Sequence, residues 1–301
     1  MKQSRKNIAI AALLLVGCFA GSVFALRAVD ESRGKEATLE EVLYLPSSKM
    51  LKRLSLGYSG LLADIYWTRA VQYFGSKHIQ HSQRYDLLYP LLDIATDLDP
   101  HIIVAYEYGS VFLAQQPPEG AGEPDKAVAL IQKGIRENPK YWRLYFHLGF
   151  VHYIDRKDPK AAQEAFEKGS EVPGALPWMK VMAARMAEHS KDPSTAAALW
   201  EAVLQTASDH NVQNTAKLHL DSLKADLDIQ ELERRVQIYR EKTGSLPGDW
   251  TALERIGVLH GIPLDPNRQP YKLLADGKVE VQDASKYPYL GEWLYNQVRP
   301  Y

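Results

Sequence analysis

Apolar and small residues recur in the middle of the chain at spacings typical of helical hairpins. The first full copy contains Tyr108, Gly109, Phe112, Ala127, Ile131, Gly134 and Pro139. The second contains Leu148, Gly149, His152, Ala162, Phe166, Gly169 and Pro173. Small residues at these positions let one helix lie close against the next, and the larger members fill the space between them. The pattern predicts two helix-turn-helix units that stack side by side.

Partial copies flank these two units. Upstream, the second half of the unit recurs at Leu88, Leu92, Ala95 and Pro100, and the leading helix is predicted around Leu62, Ala63 and Tyr66, unusually far ahead. Downstream, the step from Gly149 to Ala183 is 34, and Ala196, Trp200 and Val203 follow Ala162, Phe166 and Gly169 at the same step. The step from Gly109 to Gly149 is 40, because the Pro- and Gly-rich stretch 117–122 is inserted as a loop.

These residues resemble the tetratricopeptide repeat (TPR) family over about residues 51–208, with units of about 34 residues. The resemblance implies a mainly α solenoid of helical hairpins whose leading helices line a concave groove. By the family's pattern the groove includes Trp67, Tyr106, Glu107, Ser110, Phe146, His147, Phe150 and Tyr153. Such an aromatic groove suits an apolar or amphipathic protein or peptide segment. The alternative is that Phe146, Phe150 and Tyr153 pack against the neighbouring unit.

The amino-terminal segment, residues 1–26, is predicted to attach the chain to a membrane. Twenty uncharged residues, Asn7 to Leu26, follow Lys2, Arg5 and Lys6, and this is enough helix to cross a bilayer core of about 30 Å. The basic flank places the amino terminus in the cytoplasm of a bacterium and the body in the periplasm or exterior. Residues 27–41 form a polar spacer.

Three interpretations of this segment remain open. It is retained as a single-pass inner-membrane anchor, or it is a lipoprotein signal, or it is cleaved after Ala25. For the second, Leu15 to Cys18 resembles a lipobox, which would make Cys18 the lipidated residue.

The repeat pattern, assigned to residues 42–208, fades towards the carboxyl terminus. Residues 209–242 are predicted to form two capping helices, at 212–224 and 229–242, and residues 243–301 a small unit with a tail. Within that unit, Asp276 and Gly277 predict a tight turn joining strands at 272–274 and 279–281. Residues 229–281 also resemble the carboxyl-terminal part of type II secretion pseudopilins. The amino terminus has no prepilin cleavage signature, so the chain is not predicted to be a pilin.

Composition and charge limit the classes of function that the sequence supports. The chain is 46% hydrophobic and 24% charged, as in ordinary folded proteins. Lys plus Arg number 36 and Asp plus Glu 37, which gives no electrostatic case for nucleic acid. Cys18 is the single cysteine, so no internal disulfide forms.

The sequence contains no phosphate-binding loop, nucleophile elbow, dinucleotide fingerprint or zinc motif. We therefore predict no enzyme, cofactor or metal site. The predicted function is a membrane-anchored, non-cytoplasmic scaffold for protein interaction in a bacterial envelope assembly, pilus- or secretion-related. The alternatives are an outer-membrane lipoprotein that assists biogenesis of such an assembly, and an enzyme with an unrecognised site.

Overall fold

The computed structural model describes residues 17–18, 21–22 and 45–291. Cys18 is exposed and has a free thiol. Most of the predicted anchor, the whole spacer 27–41 and the end of the tail, 292–301, lie outside these ranges. No helix of the described residues is both long enough and apolar enough to cross a bilayer.

The described chain is mainly helical, which confirms the predicted class. Its helices are α1 (Ser48–Leu54), α2 (Ser59–Ile79), α3 (Leu88–Leu98), α4 (Ile103–Ala114), α5 (Pro124–Glu137), α6 (Trp142–Phe150), α7 (Pro159–Ser170), α8 (Trp178–His189), α9 (Pro193–Thr206), α10 (His210–Thr243) and α11 (Trp250–Arg255). A π-helical turn, Val151–Asp155, continues α6. Two short strands, β1 (Lys272–Leu273) and β2 (Val279–Glu280), and a 3₁₀ turn, Ala284–Lys286, follow.

Consecutive helices pack as hairpins. The most extensive contacts join α2 with α3, α4 with α5, and each helix from α6 to α9 with the next one along the chain. Smaller contacts join α3 with α4, α5 with α6, α4 with α6 and α3 with α5. The spacing in front of Leu88 is explained by helix length, because α2 runs for 21 residues and buries Ala63, Tyr66 and Ala70. The insertion 117–122 lies between α4 and α5, where the Ala121 N–H donates to Phe112 O at 2.8 Å.

The predicted small residues lie where helices come closest. A Cβ built on Gly149 would lie 2.6 Å from the Phe166 ring of α7, and one on Gly109 would lie 2.8 Å from Leu92 of α3. Gly134 and Gly169 make corresponding approaches: each faces the start of the next helix, at Leu144 and at Met179 respectively. The recurring glycines are therefore required by close helix packing.

A Lys-Asp-Pro tripeptide that starts a helix also recurs at the 34-residue step of the repeat. Lys157, Asp158 and Pro159 recur as Lys191, Asp192 and Pro193. Each lysine has a positive φ, 56° and 58°. Each aspartate caps the following helix by accepting a backbone N–H, from Ala161 at 3.0 Å and from Thr195 at 3.1 Å. Each proline occupies the first helical turn, where its missing N–H costs nothing.

The two predicted capping helices are one continuous helix, α10, of 34 residues. The prediction of a break between residues 224 and 229 was wrong, and this stretch contains no glycine or proline to stop a helix. Ala216 and Leu223 pack against α8 and α9, whereas Leu232 and Val236 belong to the core of the carboxyl-terminal unit. The predicted stop is confirmed, since Gly244 ends α10 with φ 79°.

The carboxyl-terminal unit folds around the second half of α10. The predicted hairpin is present, with Leu273 opposite Val279 and Gly277 in the turn at φ 88°. The Trp250 indole N–H donates to Tyr271 O at 2.8 Å and thereby fixes α11 to the start of β1. The end of the described chain returns to α10, where the Gly291 N–H donates to the Asp226 carboxylate.

Candidate partner-binding pocket

A largely apolar pocket lies between α4 and α6, with a volume of about 330 Å³. It is lined by Val111, Ala114, Gln115, Phe146, His147, Phe150, Val151, Ile154 and Asp155. One wall comes from the last turn and a half of α4, and the other from α6 with its π-helical extension. The extra residue of a π turn shifts the side chains that follow it, and such turns occur frequently at functional sites.

The α6 wall is held rigid by aromatic packing. The Phe146 ring lies 4.9 Å from the Phe150 ring and 5.5 Å from the Trp178 ring of α8, the latter edge to face. Phe150 also meets Phe166 of α7 edge to face at 5.2 Å. Both phenylalanines remain half-buried. They therefore pack against the neighbouring unit, as the alternative interpretation expected, and also present a face to the pocket.

A buried polar pair, Glu107 and His147, lies at one wall of the pocket, which His147 lines. Glu107 is only 9% exposed, and none of the described residues gives its Oε1 a hydrogen bond. The nearest cationic candidate is His147 Nε2, 4.0 Å from that oxygen, which is beyond hydrogen-bonding distance. Burial raises the pKa of Glu107, while the charge of Arg143 and a hydrogen bond with Tyr141 oppose the rise.

His147 is uncharged at neutral pH. Burial, and secondarily the charge of Arg143, lower the pKa of His147 to about 4. A neutral imidazole does not compensate a carboxylate, so Glu107 lacks an ionic partner on this side. Glu107 is not one of the residues that line the pocket, so this carboxyl group lies behind the His147 wall.

The eight residues predicted to line the groove lie in different parts of the structure. Phe146, His147 and Phe150 line the pocket, and Glu107 lies behind His147. Tyr106 and Ser110 are fully buried, which corrects their assignment to an open surface. They lie on the side of α4 that faces its neighbours, because the Tyr106 ring fills the space beside Gly134.

The remaining two lie elsewhere. Trp67 stacks parallel to Phe112 of α4 at 6.3 Å, and Tyr153 stacks on His189 of α8 at 6.1 Å. Both are half-buried in contacts between units.

Sequence reasoning missed Val111, Ile154 and Trp178. Ile154 continues the i, i+4 series of Phe146 and Phe150, so extending the helix by one turn would have found it. Val111 could not be assigned to the pocket without knowing how α4 and α6 are rotated relative to each other. Trp178 is separated from Phe150 in sequence by the whole of α7, and only the packing of α8 on α6 brings it to the pocket wall.

A second polar cluster is structural. His219 Nδ1 lies 2.9 Å from Glu188 Oε1, which also accepts the Trp200 indole N–H at 2.8 Å. The imidazole is stacked between Trp200 and Tyr289, at 4.0 Å and 3.5 Å. These contacts close the array and attach the end of the described chain to it. Among the described residues no group of three or more His, Cys, Asp or Glu side chains is arranged to hold a metal ion.

Comparison of the chain with protein-family models, curated protein sequences and solved structures gave no match.

Proposed function

We propose that this chain is a TPR-like scaffold of a bacterial envelope, tethered to the inner membrane by residues 1–26, with its body facing the periplasm or exterior. Its partner is a segment of another protein. The apolar residues of that segment contact the row of leading helices, and an anchor side chain enters the pocket between α4 and α6.

The observation that carries this proposal is the pocket itself. Its walls are aromatic and aliphatic, and Ile154 at the rim is 53% exposed. A volume of about 330 Å³ is at the lower end of the range of roughly 300–1,000 Å³ for ligand pockets. It suits one or two side chains of a peptide. Such anchors provide most of the binding energy at protein interfaces.

The tether and the setting rest on the sequence. The run from Asn7 to Leu26 is long enough for a bilayer. The resemblance of residues 229–281 to pseudopilins favours a pilus or secretion assembly as the setting. The mass of the mature amino terminus distinguishes a retained anchor from a diacylglyceryl Cys18.

The experiment is site-specific photocrosslinking in native membranes. A benzoylphenylalanine at position 154 should crosslink to a discrete partner that mass spectrometry identifies. The same group at position 79 is the control. Ile79 is also apolar and is 79% exposed, but it lies at the end of α2 and does not line the pocket, so it should not crosslink.

Ile154→Lys should then weaken binding of the identified segment by about tenfold or more. A tenfold loss corresponds to about 1.4 kcal/mol, and truncation of a central anchor contact costs about 2 kcal/mol or more. Ile79→Lys is the matched control and should bind like the unaltered protein. Equal crosslinking at both positions, or equal affinity of both variants, would reject the pocket as the binding site.

A further inference from the structure

Exposed apolar side chains are concentrated at the amino-terminal end of the folded body. Leu56 is 86% exposed and Tyr58 is 71% exposed. Together with neighbours in α1 and α2 they form the α1–α2 apolar surface: Met50, Leu54, Leu56, Tyr58 and Leu61. Exposed large apolar side chains this close together along the chain form a patch of the kind that marks an interaction surface.

Leu56 is not explained by the fold. It has φ 49°, in the left-handed region where a leucine is disfavoured and glycine or asparagine is usual. Its side chain is almost wholly in solvent, so the unfavourable backbone is not offset by packing. Gly57 follows with φ 95° and completes the turn in which the Tyr58 N–H donates to Ser55 O at 2.8 Å. The turn thus presents a leucine at its tip.

The helix α1 that carries part of this surface is packed against the rest of the array on its other side. Leu51 packs on the core of the array, and the Ser48 hydroxyl donates to the Asp97 carboxylate of α3. Met50 and Leu54 are four residues apart on α1 and both are exposed. Since α1 is held on its inner side, these apolar groups have no route to the core through a small rotation of the helix.

Within the segment 47–61 the charge is of one sign, and the neighbouring Asp97 of α3 is paired with Lys133. Lys49, Lys52 and Arg53 are exposed, and no acidic residue occurs between positions 47 and 61. The whole chain has a net charge of −1, so this is a local concentration of positive charge. Leucine and tyrosine flanked by lysine and arginine are typical of segments that lie in the interface of an anionic bilayer.

Two other observations favour a bilayer over a second copy of the chain. The last residue of the uncharged run, Leu26, is joined to Ser47 by the stretch 27–46, which spans at most roughly 75 Å when fully extended. The tether thus keeps this surface within reach of the membrane. A second copy docked face to face would bring two sets of these cations together, which opposes self-association.

We infer that the α1–α2 apolar surface lies in the headgroup layer of an anionic phospholipid bilayer, with Leu56 inserted and Lys49, Lys52 and Arg53 at the phosphates. This contact orients the row of hairpins relative to the membrane. The inference rests on the proposed tether but is independent of the pocket between α4 and α6.

The test uses the full chain with Cys18→Ala and Leu56→Cys, labelled with an environment-sensitive fluorophore. It is reconstituted into vesicles of phosphatidylcholine and phosphatidylglycerol in equal parts. A fluorophore at position 56 should be quenched by nitroxide-labelled lipid and protected from iodide. The matched control is Leu264→Cys, an exposed leucine of the carboxyl-terminal unit, which should be quenched by iodide alone.

The second part of the test reverses the charges beside the surface and repeats the quenching measurement. The double variant Lys52→Glu, Arg53→Glu should lose at least half of the lipid quenching at position 56. The control pair Lys278→Glu, Lys286→Glu, also exposed, should leave it unchanged. Neither pair replaces a buried side chain, so both variants should keep the thermal midpoint of the unaltered protein.

Three results would overturn the inference, each in a distinct way. A chain that stays in the vesicles after alkaline carbonate but is quenched by iodide at position 56 rejects the surface contact alone. A chain that carbonate extracts rejects the tether as well. A fluorophore protected from both quenchers, in a chain that crosslinks to itself, identifies a second copy as the occupant.

Discussion

Gly149 limits how closely α6 and α7 approach. An added Cβ would lie 2.6 Å from the Phe166 ring, which is itself fully buried and has no room to move away. Gly149→Ala should therefore destabilise the protein by about 1–3 kcal/mol, the usual cost of overpacking a core. Denaturant unfolding measures this difference.

Gly75 is the matched control for that substitution. It is also helical, near the end of α2, but apart from the adjacent residues and backbone of its own helix no described atom lies within 4 Å of where its Cβ would be. Gly75→Ala should be neutral or stabilise the protein by up to about 1 kcal/mol, because alanine favours the helix. If both substitutions cost the same, close packing does not explain the repeated glycines.

Single residues also show where sequence reasoning reaches its limit. Gly109 and Gly149 were identified from spacing alone, because helix contact requires a small residue once per unit. Tyr106 was assigned to the groove by the pattern of the tetratricopeptide repeat family, yet the ring is fully buried beside Gly134. Whether a large residue points outward depends on the rotation of its helix, which spacing along the chain does not fix.

At the scale of elements, helix starts are set locally. Asp192 caps α9 by accepting the Thr195 N–H at 3.1 Å, and this hydrogen bond is the main reason that the pKa of Asp192 is lowered. Asp192→Ala should reduce the free energy of unfolding by about 1 kcal/mol, as for other lost caps. Asp192→Asn keeps an acceptor and should change it by much less.

The pH dependence of that comparison gives a further check. A lowered pKa in the folded state stabilises the protein above the ordinary aspartate value of 3.8, and the contribution is lost as the pH falls through the folded-state pKa. The difference between the unaltered protein and Asp192→Ala should therefore shrink in acid. A difference that is constant with pH would mean that the cap contributes nothing through its charge.

Helix α10 shows the opposite case, in which the local sequence pattern did not predict the length of the helix. Residues 212–224 and 229–242 were predicted as two helices. The structure keeps one helix and changes the partner instead: the first half packs on α8 and α9, and the second on the carboxyl-terminal unit. One long helix can therefore serve two cores where the sequence pattern indicates two helices.

Among the described residues, the helical array and the carboxyl-terminal unit have separate cores and share the helix α10. Leu253 is fully buried in the carboxyl-terminal core, and Leu130 is equally buried in the array. Because contacts are mainly between sequence neighbours, each region should open by a local unfolding reaction of its own. Substitution in one core should leave the other protected.

Leu253→Ala and Leu130→Ala test this. Each should cost about 2–5 kcal/mol within its own core. Hydrogen exchange should accelerate at residues 246–287 for the first variant and in α4 to α7 for the second. Uniform acceleration across the molecule in either variant would show instead that the chain unfolds as one cooperative unit.

The sequence by itself determined the helical hairpins, the turn of the β-hairpin and the end of α10. These depend on apolar spacing, on Asp276 and Gly277, and on Gly244, which act within a few residues along the chain. Only the tertiary structure decided that Tyr106 is buried, that Ile154 rims a pocket, that Trp178 supports Phe146 and that Tyr289 covers His219. Each of these depends on how helices distant in sequence are rotated against one another, and that rotation is set by packing of the whole array.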